Sequence, residues 1–211
     1  MVTTLTYLFD PLCGWCYGAS PVIQQLSNQD GVTLKLAPTG LFAGSNGRLM
    51  DAGFAEFAWS NDMRIKERTG QRFTDKYRTQ VLGNHGSSFD SEIATLALTV
   101  VSMTDPQREL ETLKVLQEAR YVHGQDITDV IVVKKLLNDM GLVAAAMRLA
   151  IGDTELRLVN GARLSHSQHL LHTYGITGVP NIVVTNEKGS RLLSSAALFS
   201  NVERILGLIS K

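Results

Sequence analysis

Apolar residues dominate Thr4 to Phe9, a run of the length of one buried strand, and the turn residues Asp10-Pro11-Leu12 close it. Beyond Cys13 the period lengthens. Tyr17, Val22, Ile23 and Leu26 share a broad apolar face of a helix that ends near Asn28-Gln29-Asp30-Gly31. Val32 to Leu36 then alternates as a second strand, Val-Thr-Leu-Lys-Leu. Strand, helix and strand with a short return make a βαβ unit, with parallel strands and a right-handed crossover.

From about Leu49 to Leu149 the spacing is helical and no strand signal interrupts it. Asp105-Pro106 marks a helix start, with Asp as N-cap and Pro in the first helical position, and the helix runs to Gly124. Thr128-Asp129 starts another that Gly141 can close. Strand signals return at Asn181 to Thr185, followed by a turn at residues 186–189 and by Ser190 to Leu193, an antiparallel hairpin. Ser200 and Glu203 read as a capping box opening the last helix, Val202 to Ile209. This order predicts a discontinuous α/β domain, residues 1–48 and 150–211, interrupted by a helical insertion, residues 49–149. Neither half of the α/β domain has a complete sheet, so the two halves must fold together.

With 211 residues, 44% hydrophobic and 19% charged, the chain can bury an ordinary core. Twenty basic and twenty acidic residues cancel, and no basic run is present, which argues against nucleic acid and anionic membranes as partners. The apolar stretches fall far short of the ~20 residues that a membrane span needs. The opening Met1-Val2-Thr3-Thr4-Leu5 has neither a positive n-region nor an apolar h-region, so the expected location is cytoplasmic, or periplasmic if this chain is a processed mature form. Nothing in the pattern fixes an oligomeric state.

The chemistry concentrates in Asp10-Pro-Leu-Cys-Gly-Trp-Cys-Tyr-Gly18, which holds both cysteines of the chain. A thiol at a helix N-terminus meets unpaired backbone N–H groups and the positive end of the helix dipole, and both stabilise its thiolate. Cys13 takes that place; Cys16 lies one turn further in and should be more buried. The spacing lets the two sulfurs close a small ring. The reading is therefore a dithiol in which Cys13 attacks a substrate disulfide and Cys16 resolves the mixed disulfide. A structural zinc site wants about four ligands, and a lone C-x-x-C supplies two. His166, His169 and His172 do not complete it, because their directions drift by ~120° across the three. No metal is expected, and an inert buried pair stands as the bland alternative. Downstream, Pro180 in Gly175-Ile-Thr-Gly-Val-Pro-Asn181 precedes an apparent core strand, where it marks a strand-entry turn or a special loop.

Taken together, Cys13-Gly-Trp-Cys16 after a first strand, Pro21 in the next helix, and Gly178-Val179-Pro180 before a hairpin resemble the thioredoxin fold. The large helical block resembles the DsbA-like branch, as does Val before the last proline. The stretch from Tyr7 to Gly18 is most similar to leaderless, FrnE-related disulfide isomerases of that branch. The resemblance implies a thioredoxin fold with an all-helical insertion and protein-disulfide isomerase-like activity. It also implies a cis Val179–Pro180 bond facing the dithiol, with Trp15, Val179 and Pro180 forming the substrate rim. It implies no resident cofactor, with glutathione as a candidate redox partner and thiols or disulfides of proteins or small molecules as substrates.

Gly14-Trp15 between the cysteines matches neither DsbA (Pro-His) nor thioredoxin (Gly-Pro), so the redox potential does not carry over. The buried acid that those proteins place six residues before the first cysteine is here Tyr7. That leaves Asp10, water or a group from the helical block to take the proton of Cys16. Kappa-class glutathione transferases and 2-hydroxychromene-2-carboxylate isomerases share this layout but carry a serine in place of Cys13, and they form the enzymatic alternative. A peptide-binding holdase that does not use the thiols is the non-enzymatic one.

Overall fold

The computed structural model describes residues 3–209, so Met1 and Val2 of the N-terminal stretch read above lie outside the described residues. β1 (Thr3–Phe9), α1 (Gly14–Ser27) and β2 (Val32–Pro38) form the expected βαβ unit, with β1 and β2 parallel and Thr3 opposite Val32. β5 (Asn181–Asn186) pairs antiparallel with β1, β6 (Gly189–Leu193) pairs antiparallel with β5, and the sheet order is β2-β1-β5-β6. The sheet is covered on both faces, so successive residues of β1 enter two different cores. Leu5, Tyr7 and Phe9 join the main core with Ile23 and Leu26 of α1. Leu8, Ala37 and Val183 point the other way and pack under Leu170 and Leu171 of α8 (Thr154–Thr173).

Between β2 and β5 the chain is mostly helical: α2 (Ala52–Thr69), α3 (Asp75–Tyr77), α4 (Glu92–Thr104), α5 (Glu109–Tyr121), α6 (Val130–Asp139) and α7 (Val143–Ile151) precede α8. The last helix, α9, spans Val202–Ile209. Local chemistry fixes the α2 ends: the Asp51 carboxylate accepts the Phe54 N–H at 2.8 Å, and Gly70 closes the helix at φ 75°.

Three local expectations are corrected. A two-stranded antiparallel pair, β3 (Arg48–Leu49) with β4 (Ser88–Phe89), interrupts the helical block; two residues are too few for a period-2 pattern to register in sequence. After Asp105, which stands as N-cap with Pro106 in the first position as expected, the segment begins as a 3₁₀ turn, Pro106–Arg108, and α5 then ends at Tyr121 and not at Gly124. The cap of α9 is Asn201, whose side chain accepts the Arg204 N–H at 3.1 Å, while the Ser200 hydroxyl turns back to the Ala197 carbonyl at 2.6 Å.

Candidate active site

The turn between β1 and α1 is held by Asp10, which is wholly buried. Its carboxylate accepts the Leu12 N–H (2.9 Å), the Phe42 N–H (3.1 Å) and the Ser91 hydroxyl (2.8 Å). Cys13 follows as the N-cap residue of α1, and its sulfur accepts the Cys16 N–H at 3.3 Å. A helix start leaves orphan N–H groups that an oxygen side chain usually takes, and here a sulfur takes one. Cys13 is 7% exposed and Cys16 is 0% exposed, and both are free thiols. Both residues are buried, and Cys13 keeps the small exposure that Cys16 lacks.

The Val179–Pro180 peptide bond is cis, and the Cys13 thiol lies 3.6 Å from the Val179 carbonyl oxygen, to which it donates. Trp15, Val179 and Pro180 line one groove of about 540 Å³, so the three residues expected at the rim are together. The far side of this groove carries Arg68 from α2 and Phe199, whose ring meets Trp15 edge-on at 5.1 Å. Among the described residues no cluster of three or more His, Cys, Asp or Glu side chains is arranged to hold a metal.

Residues 4–205 match the DSBA-like thioredoxin domain family. This chain belongs to that family. Among solved structures it is similar to DsbM, a cytosolic disulfide reductase from Pseudomonas aeruginosa, with 27% identity over 98% of this chain and 97% of that one and a TM-score of 0.85. A structure of DsbM with glutathione aligns with 28% identity, the same coverage and a TM-score of 0.83. A protein from Nitrosomonas europaea, 23% identical over 100% of this chain and 97% of that one, shares the fold at a TM-score of 0.81. A search of curated protein sequences gave no match. With C-x-x-C at the head of α1, this DSBA-like chain is a thiol–disulfide oxidoreductase.

The electrostatics of this DSBA-like site divide along the same line as the burial. Burial pushes the Cys16 thiol well up, and the neighbouring Cys13 sulfur adds to the rise. Burial also raises the Asp10 carboxyl, against the three donors that favour its charge. Tyr7 occupies the strand position that was expected to lack an acid. Its hydroxyl donates to the Cys16 carbonyl at 3.3 Å, and burial raises it well above its ordinary value.

Sequence reasoning missed the polar residues that the helices bring to this turn. Tyr121 of α5 donates its hydroxyl to the Leu12 carbonyl at 2.8 Å, and the rings of Tyr17, Phe73 and Tyr77 surround it at 4.8–5.1 Å. Asp62 of α2 is 4% exposed and accepts the Tyr77 hydroxyl at 2.9 Å. Arg120 of α5, also buried, stacks its guanidinium over Tyr77, Phe89 and Tyr121. No local motif marks these residues. The one available signal was Gly14, a glycine where the helix itself needs none.

Proposed function

We propose that this chain reduces disulfides, with Cys13 as nucleophile, Cys16 as resolving thiol and glutathione as the thiol that restores the dithiol. The observation that carries the assignment is the asymmetry of the pair: Cys13 is 7% exposed and touches the carbonyl of Val179, a groove residue, while Cys16, one turn further along α1, is 0% exposed. In the first step the Cys13 thiolate attacks one sulfur of a substrate disulfide. A new S–S bond forms to Cys13, and the other substrate sulfur leaves with the bonding electron pair and takes up a proton. Cys16, losing its proton, then attacks the Cys13 sulfur, and the second substrate sulfur leaves as a thiol. The protein is now the disulfide, two electrons poorer. Two glutathione molecules reverse these steps and leave as glutathione disulfide.

Trp15, Val179 and Pro180 are proposed to dock the substrate, with the Val179 carbonyl pairing an extended segment in the manner of an added strand. The likeness to DsbM, described as a cytosolic disulfide reductase and solved with glutathione, supports the reductive direction, the partner and a cytoplasmic site of action. Residues 1–48 and 150–211 are proposed as the thioredoxin-like unit and 49–149 as the insertion; β1, β2, β5 and β6 all fall in the former.

Incubating the Cys16→Ser protein with glutathione disulfide tests the roles. The expected product is one glutathione per chain, mapped to Cys13, and none on the Cys13→Ser protein. Adducts on Cys16, or none on either, would overturn the assignment. For the direction, the couple is expected nearer the ~−270 mV of thioredoxin than the ~−120 mV of DsbA.

A further inference from the structure

Gly14 sits between Cys13 and Trp15 at the first turn of α1, and it is pressed against α2. A Cβ built there would lie 2.5 Å from the Asp62 Oδ1 and 3.0 Å from the Ile65 Cδ1. The Asp62 oxygen thus occupies the space where any other residue would carry its side chain. Gly18, one turn on, is closer still to Ile65, at 2.7 Å from its Cγ2, so the two glycines form the stripe along which α1 and α2 approach. A packing stripe alone would be served by an apolar residue at position 62. A carboxylate there, 4% exposed, is costly to bury, and its other oxygen is fixed by the Tyr77 hydroxyl.

We propose that Asp62 is a positioning residue of the thiol–disulfide reaction: held by Tyr77 against Gly14, its carboxylate places a negative charge beside the N-terminus of α1. That charge opposes the thiolate on Cys13 and holds the couple toward its reducing end. The inference rests on the reading of Cys13 as the nucleophile. The helix N-terminus favours an anion, and an adjacent carboxylate competes for that favour. In a partly dry environment like charges repel more strongly than they do across bulk water. The dithiol form carries the thiolate and the disulfide form does not. A negative neighbour therefore disfavours the dithiol, and a couple whose dithiol is disfavoured gives up electrons more readily.

Several charged and titratable groups pack around Asp62. They are Tyr77 of α3, Arg120 and Tyr121 of α5, and the Cys13 turn at the head of α1. Tyr121 feels both Asp62 and Cys13 while donating to the Leu12 carbonyl. Burial raises the Asp62 carboxyl from 3.8 to about 7, against the Tyr77 hydroxyl and the Arg120 guanidinium, which favour its charge. The opposing charge is therefore present above neutrality and withdrawn below it. The role of this helix-borne acid differs from that of a proton acceptor for Cys16: it acts on the potential through Cys13, without touching a reacting atom.

The test compares the full chain with Asp62→Asn, which keeps the shape and the Tyr77 partner. Each protein is equilibrated with reduced and oxidised glutathione at about pH 8 and about pH 6, and the dithiol fraction is read by thiol labelling and mass spectrometry. At about pH 8 the variant should favour the dithiol by about three- to tenfold and react faster with iodoacetamide at Cys13 by a similar factor. At about pH 6, where Asp62 is mostly protonated in the parent, the two should agree. A second variant, Tyr77→Phe, removes the donor that favours the ionised carboxyl and should reproduce a smaller part of the same gain at about pH 8. A purely structural role for Asp62 moves the unfolding midpoint and leaves the glutathione equilibrium unchanged. Equal equilibria of Asp62→Asn and parent at about pH 8, or a difference that persists unchanged at about pH 6, would overturn the inference while leaving the role of Cys13 intact. A parent protein that forms no Cys13 adduct with glutathione would overturn both.

Discussion

The strand-bearing segments and the helical stretch between them both meet the turn around Cys13, and they bring different chemistry to it. From the sheet side come the two sulfurs, the Val179 carbonyl and Pro180. From the helices come Asp62, Tyr77, Tyr121, Arg120 and the Ser91 hydroxyl, none of which carries a sulfur or faces the groove as a nucleophile. The first set has the atoms that exchange electrons; the second sets the fields and hydrogen bonds in which they do so. A thioredoxin-like sheet can therefore keep one reaction while the helices packed on it retune the reaction's driving force.

The largest expected effect separates the two regions by pH. Asp62 holds its proton more tightly in the folded chain than in the unfolded one, with the carboxyl raised from 3.8 to about 7. Its contribution to stability is therefore fully present below about pH 4 and is lost as pH rises toward and through about 7. Asp62→Asn removes that loss. Each tenfold difference in proton affinity between the folded and unfolded chain is worth about 1.4 kcal/mol. Urea unfolding should therefore find the variant gaining about 2–4 kcal/mol on the parent between about pH 4 and about pH 8. A constant difference across that range would mean that the helices do not hold this carboxyl as described.

Gly14→Ala probes the contact itself. The added methyl meets the Asp62 oxygen at 2.5 Å, and Asp62 has little freedom to swing away because Tyr77 and burial fix it. The gain in helix propensity of about 1 kcal/mol should be outweighed by the overpacking, leaving a net loss of about 1–2 kcal/mol in urea unfolding. A stabilised Gly14→Ala protein would show that α2 can move away at no cost.

Tyr121→Phe should have the smallest effect. It keeps the ring contacts with Tyr17, Phe73 and Tyr77 but leaves the Leu12 carbonyl without its hydroxyl donor, at a cost of about 1 kcal/mol in thermal or urea unfolding. No measurable loss would mean that the turn before Cys13 does not depend on the helices for its hydrogen bonding.

What could be read from sequence follows the same division. The βαβ unit, the hairpin and the cysteine pair are local: each is a period or a motif within a short stretch of chain, and each lies where the pattern placed it. Gly178-Val179-Pro180 took its meaning only beside C-x-x-C, and the cis bond and the contact with Cys13 agree with that joint reading. Asp62 was not legible, because in Phe54-Ala-Glu-Phe-Ala-Trp-Ser-Asn-Asp62 it resembles any solvent-facing helix residue. Its burial depends on two glycines of α1, far earlier in the chain, and no periodicity records that kind of pairing. Arg120 and Tyr121 were hidden for the same reason. Asn201 displaced Ser200 as a helix cap because two capping residues stood side by side, and only their geometry chooses between them.

The central claim is that Cys13 is the reactive sulfur and Cys16 its buried partner, and limited alkylation of the reduced, native chain tests this most directly. A brief pulse of iodoacetamide at neutral pH, followed by unfolding, a second distinguishable label and peptide mapping, reads the two cysteines separately. Cys13, 7% exposed beside the Val179 carbonyl, should carry the first label, and Cys16, 0% exposed, should carry only the second. First-label modification of Cys16 ahead of Cys13, or of both at the same rate, would contradict the account.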